Sequence, residues 1–551
     1  MPHETKHHPT IGLIKGLNKV PTVIQYLGVQ YATLKDRFSR GVLLESYNSG
    51  HINGDGVLDA TLLGPIPPSP AYGCAWEQTL LQHSLPFPEY NQSDTECLTL
   101  NIAVPNVKDA DSLPVLVMVH GGAFVTGSSS YPQYDLARIT NQSLELEKPI
   151  IVVAVNYRLG VCGFLHSATM KAAGYKPNNG LDDQRLALRW VKRHISGFGG
   201  DPNRVTFIGE SAGGASGCFH LHSEEVLFTQ LIGMSGTSLL RARTPELLEK
   251  SFAQLADIVG IQDLSPAEQI QKILEIPISE LTAKAGRQIP LGPMVDGDLI
   301  PEITTFKTLA DDAEVKRLFP GIQHCKRLIM GDCQMDAMAL APRLGARTDI
   351  FSQRLVRYLS TAFENWDQEI APAIAAAYNL DPSSTYNTPE STENVLNFGN
   401  DVCFAAAARS FTRAWSSSSV PGTEALQYHF NCPNPWDGPW KGHATHILDI
   451  AFVLQNYAEN LSNGQRRSAE QFAADVVTFV NGKKPWAEYQ VGAAEGSMIY
   501  DAPIEGGQNL SGFVASETPG KTGRRYALQV LVKPELFDQL MDAWQMFMAG
   551  P

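Results

Sequence analysis

An α/β fold is predicted, with a large, mostly parallel central sheet flanked by helices and enlarged by helical insertions. Two apolar runs, 113–119 and 150–157, have the length and β-branched content of buried strands, and each ends in a loop with Gly or Asn. A third short run, Val205-Thr206-Phe207-Ile208, follows a segment of helical period from Asp182 to Ile195. Strand, helix and strand in that order need a crossover, and crossovers build parallel sheets.

The N-terminal Met1-Pro2-His3-Glu4-Thr5 is polar, and no apolar core of signal-peptide length follows before residue 40. The longest apolar runs, Val115 to Val119 and Ile150 to Val155, are too short for a transmembrane segment. A cytoplasmic location is therefore the expectation. Asn91, Asn141, Asn460 and Asn509 head Asn-x-Ser tripeptides, a weak pointer toward secretion because such tripeptides often arise by chance. Within the predicted helix, Leu186, Trp190 and His194 form one row, with Ala187, Val191 and Ile195 beside it. Asp201-Pro202-Asn203 reads as the turn before the strand at 205–208. The second half is more helical, at Ala469 to Phe479 and Pro534 to Met548; 416–419 and 505–525, rich in Gly, Ser and Thr, read as loops.

The length of 551 residues would allow roughly three to four ordinary domains. No repeat or convincing linker divides the chain, so one domain over 1–551 with large insertions is expected. At 43% apolar and 18% charged residues the chain can bury a large core. A net charge of −14 without a Lys/Arg cluster argues against a nucleic-acid partner. Eight cysteines over this length make no disulfide scaffold, and no C-x-x-C pair marks a zinc site.

Chemistry concentrates where the run at 205–208 enters Gly209-Glu210-Ser211-Ala212-Gly213-Gly214. A serine raised on a tight turn between strand and helix needs neighbours without bulky side chains, and a glycine two positions to either side supplies them. The helix beginning at Ala212 aims its first amides at any oxyanion formed beside Ser211. Alone, the motif is weak, since a strand-to-helix turn with a capping serine reads the same way. A second strand ending in His120-Gly121-Gly122-Ala123-Phe124 changes the balance, because it fits an H-G-G-G-type oxyanion loop. Backbone N–H groups of Gly122, Ala123 and Ala212 would form the oxyanion hole, each lowering the barrier by ~3 kcal/mol.

Over nearly its whole length the chain resembles the type-B carboxylesterase/lipase family, the cholinesterase-like α/β-hydrolases. The likeness rests on Gly28-Val29-Gln30-Tyr31-Ala32, Cys97-Leu98-Thr99-Leu100-Asn101, Asn156-Tyr157-Arg158, Asp183-Gln184-Arg185-Leu186-Ala187-Leu188 and Phe198-Gly199-Gly200-Asp201-Pro202. Met234-Ser235-Gly236 and Gly292-Pro293-Met294-Val295-Asp296-Gly297 extend it. The wording from Trp436-Asp437-Gly438-Pro439 to His446 is most similar to fungal carboxylesterases.

The resemblance implies an α/β-hydrolase fold and a catalytic triad in the order serine, acid, histidine. The family acid lies five residues after a strand-ending glycine. Here Leu328-Ile329-Met330-Gly331 leads to Asp336, with Asp332 as the alternative. Most relatives carry Glu followed by Gly; Asp336-Ala337 is one methylene shorter, so the backbone must sit closer to the histidine. His446, followed by Asp449 and an apolar run, fits the family histidine, although Ile447 replaces the usual glycine. His443 has no carboxylate at that offset. The resemblance also implies a supporting role for Ser235 in the second shell of the acid–histidine pair, a possible disulfide between Cys74 and Cys97, and a gorge-covering loop over 74–97.

The implied activity is hydrolysis of a small-molecule carboxylic ester without metal or cofactor. An acyl transferase or lactone-forming catalyst using the same serine is the alternative, and a non-catalytic adhesion or scaffold protein the more distant one.

Overall fold

A computed structural model describes residues 3–47, 56–107, 111–286, 289–345, 347–518 and 522–550. Thirteen strands form one sheet: β1 (His3–His8), β2 (Gly12–Val20), β3 (Val23–Gln30), β4 (Val57–Ala60), β5 (Thr99–Pro105), β6 (Leu113–Val119), β7 (Ile151–Val155), β8 (Gly200–Glu210), β9 (Gln230–Met234), β10 (Arg327–Cys333), β11 (Glu424–Phe430), β12 (Ser497–Tyr500) and β13 (Gly512–Val514). Their spatial order is β1-β2-β3-β5-β7-β6-β8-β9-β10-β11-β12-β13, with β4 beside β2. From β7 to β12 every neighbouring pair is parallel; antiparallel pairs close both edges.

The central strands form because their residues are apolar on both faces. Every residue of β6 and β7 is buried, as a parallel sheet covered on two sides requires. The helix predicted between strands is α2 (Asn179–His194), with Trp190 and Val191 fully buried. Its Asp183 forms a buried ion pair with Arg158, 2.7 Å between Oδ1 and Nη2. Two further hydrogen bonds from Arg158 to Asp183 satisfy the remaining lone pairs that burial would otherwise leave costly.

Two readings need correction. Asp201-Pro202-Asn203 belongs to β8, whose register with β6 breaks between Gly200 and Val205. The stretch 505–525 contains β13 and a 3₁₀ turn at Gly523–Tyr526; its residues 519–521 lie outside the described residues. The helices expected late in the chain are present as Asn463–Val480 and Phe537–Ala549. No helix among the described residues is long and apolar enough to cross a membrane.

Candidate active site

At the C-terminal end of β8 the chain turns sharply into α3 (Ala212–His220). Ser211, at the bend, has φ 55° and ψ −118°, a conformation costly for any residue with a side chain. The bend exists because backbone passes over backbone: a β-carbon on Gly209 would lie 2.2 Å from the carbonyl of Gly213. Ser211 N–H donates to Met234 O at 2.8 Å, and its carbonyl accepts from Ala215 N–H at 3.0 Å. Its side chain is half-buried, open enough to meet a ligand.

Ser211 Oγ lies 3.0 Å from His446 Nε2, and His446 Nδ1 lies 2.7 Å from Asp336 Oδ1. With Nδ1–H donating to the carboxylate, Nε2 is free to accept from the serine hydroxyl. The second oxygen of Asp336 accepts Cys333 N–H at 2.8 Å, so the carboxylate is fixed from both sides. Burial pushes the Asp336 carboxyl above its ordinary range, against the pull of the hydrogen bond from His446. The shorter acid reaches the histidine because the two loops pair directly: Met335 N–H donates to Ala444 O at 2.9 Å, and Met335 bridges Thr445. After His446 the chain turns at Ile447, φ 63°, into the helix Leu448–Leu454. That left-handed backbone explains why glycine is usual there, and holding a β-branched residue in it stores strain.

Asp332 is elsewhere. It is paired with His429, at 2.6 Å, and with Arg525, and makes no contact with His446. His443 lies in a loop 3.9 Å from Glu393. Ser235 meets Asp449 Oδ2 at 3.4 Å and Cys333 Sγ at 3.8 Å, rather than Asp336 or His446 themselves. Asp449 also accepts from the Tyr428 hydroxyl at 2.7 Å, and burial beside Asp336 raises its carboxyl to about 6.

The loop 120–124 packs on the serine: a β-carbon on Gly121 would lie 3.0 Å from Ser211 Cβ and 2.4 Å from Glu210 Oε2. Gly122, Ala123 and Phe124 all have positive φ, turning successive peptides, and Ala123 is exposed. The His120 ring stacks on Tyr157 and donates through Nδ1 to Gly121 O at 3.0 Å; burial lowers it to about 4, so it is neutral.

Cys74 and Cys97 are separate thiols, which corrects the disulfide expectation. The first is on the helix α1 (Gly73–Leu81), where it accepts from Gln78 Nε2 at 3.5 Å; the second is buried beside the Arg158–Asp183 pair. Between them the chain is helical over its first third, and that helix carries a buried acid, Glu77, hydrogen-bonded by the Tyr134 hydroxyl and raised by burial to about 7. Glu210 is a second buried acid. Its Oε1 lies 3.2 Å from His446 Nε2, and burial, with Asp449, Glu77 and Asp336 nearby, pushes its carboxyl well above the ordinary range. Sequence reasoning missed both, although Glu210 stands directly before the serine. Glu77 carries no signal of its own, since it stands beside Gln78 and Thr79 in the same helix.

A mostly parallel sheet with an accessible serine at a strand-to-helix turn defines an α/β-hydrolase. The comparisons agree. A PNB esterase of known structure superposes with a TM-score of 0.70 at 25% identity, over 96% of this chain and 100% of that one. Para-nitrobenzyl esterase of Bacillus subtilis (strain 168) is 36% identical over 434 residues, 76% of this chain and 77% of the relative. Carboxylesterase patB of Penicillium expansum is 32% identical over 269 residues, 46% of this chain and 48% of the relative. The model of the carboxylesterase family matches residues 4–491, and the chain belongs to that family. It is a carboxylic ester hydrolase.

Proposed function

We propose that the chain hydrolyses its ester through an acyl-enzyme on Ser211. His446 Nε2 takes the hydroxyl proton as Oγ bonds to the ester carbonyl carbon. The oxyanion is held by the N–H groups of Gly122, Ala123 and Ala212, and Asp336 stabilises the imidazolium. The imidazolium then protonates the departing alkoxide as the C–O bond breaks. Water, deprotonated by the same nitrogen, releases the acid and restores Ser211.

The unbroken line from Ser211 Oγ through His446 to Asp336, at 3.0 and 2.7 Å, carries this reading. Its test is Ser211→Ala. The folded variant should lose about a million-fold in kcat on a hydrolysable ester and take no label from a fluorophosphonate probe. Retention of a few per cent of activity by the pure variant would refute the assignment.

A further inference from the structure

A side chain near the C-terminus grips the loop that carries Asp336. Arg524 Nη2 donates to Gln334 O at 2.6 Å, two residues before the acid. The same guanidinium donates through Nε to both oxygens of Asp401, at 3.2 and 3.1 Å. Asp401 opens the π-helical turn Asp401–Ala405, whose Phe404 ring packs 5.7 Å from the His446 ring. Asn400, immediately before it, accepts Ala337 N–H at 3.1 Å, one residue after the acid. Arg524 therefore ties the acid's loop to the turn that packs on the histidine.

The neighbouring side chains fix the strand ends feeding that loop. Arg525 donates to Asp332 at the end of β10, and to Asn431 Oδ1 at 2.7 Å and Phe430 O at 3.3 Å at the end of β11. His429 lies between Asp332, at 2.6 Å, and Glu517, at 3.0 Å, and Glu517 is also bound by Arg409 at 2.5 Å. Buried ion pairs add little net stability over apolar packing, but they do fix one geometry.

We propose that Arg524 and Arg525 are positioning residues: a clamp from the C-terminal segment that sets where Asp336 meets His446. The inference rests on the Ser211–His446–Asp336 reading, and acts on catalysis only through it. A guanidinium holds a carbonyl and a carboxylate at once in a rigid planar fork, whereas an ammonium is a compact point charge on a flexible stem and fixes their geometry less well.

The test is Arg524→Ala in the full chain, with Arg347→Ala as control. Arg347 anchors the C-terminal helix through Phe547 O at 2.6 Å and pairs with Asp349, using no atom of the acid's loop. Arg524→Ala should lower kcat by roughly 10- to 100-fold with little change in KM, as expected for a reacting group displaced by about 1 Å. Arg347→Ala should lower the melting temperature and leave kcat unchanged, and Arg524→Lys should recover part of kcat. A wild-type kcat in Arg524→Ala, or an equal fall in kcat in the Arg347→Ala control, overturns the clamp. If Arg524→Ala does not fold, Arg524→Lys and Asp401→Asn bear the test, and wild-type kinetics in both overturn it. Failure of the underlying reading is distinguishable, since an active Ser211→Ala removes it whatever the arginine variants do.

Discussion

Asp336 shows what a single side chain owes to its surroundings. With a carboxylate shorter than the family's usual acid, contact with His446 requires the two loops to approach, and Met335 N–H bonded to Ala444 O at 2.9 Å is that approach. The extra methylene of Asp336→Glu has nowhere to go between that backbone contact and a ring already 2.7 Å away. The expected result is a drop in kcat of about 100-fold with KM nearly unchanged. Asp336→Asn keeps the shape but offers His446 an amide in place of a carboxylate, and should cost about 10⁴ in kcat. Steady-state kinetics on one ester reads both: near-wild-type turnover in Asp336→Asn would remove Asp336 from the mechanism, and in Asp336→Glu it would mean that the two loops leave room for the longer acid. Ser211 and His446 were legible in sequence because motif and register name them. The choice between Asp336 and Asp332 was not, because it depends on which loop pairs with 444–445. Glu210 and Glu77 escaped because local sequence does not reveal that a carboxyl will be buried.

Among the elements, the central strands and α2 were legible because long apolar runs and a regular helical period leave little choice. The polar, edge-forming β1 and the bend inside β8 were not, since their geometry comes from partners distant in sequence. The turn between β8 and α3 is the element on which the site depends. It needs no side chain at Gly209, where a β-carbon would meet the Gly213 backbone at 2.2 Å. Both atoms at the clash are fixed, so Gly209→Ala must push strand and helix apart, at a cost of about 3 kcal/mol or more. Urea unfolding followed by circular dichroism measures this, and the displaced serine should also react more slowly with a fluorophosphonate. Unchanged stability would mean that the turn is looser than its contacts imply.

Across the whole molecule, stability against pH reflects two opposed sets of buried groups. His120 and His222, lowered by burial to about 4, are neutral when folded, so the stability they contribute is present above about 6.5 and lost as pH falls toward 4. Asp475 acts in the other direction. Burial raises it to about 7, where it accepts the Tyr500 hydroxyl at 2.8 Å and joins the helix Asn463–Val480 to β12. The folded state thus holds a proton that the unfolded chain releases near pH 4. The associated stability is present below that pH and lost as pH rises through 7, by about 4 kcal/mol. Asp475→Asn cannot ionise and keeps an oxygen for the Tyr500 hydroxyl. Relative to the parent chain, it should therefore gain about 3 kcal/mol between pH 4.5 and pH 8 in urea unfolding. The histidine contribution is common to both proteins and cancels in that difference. If the gap between the two unfolding curves is the same at both pH values, the carboxyl is not held protonated in the fold.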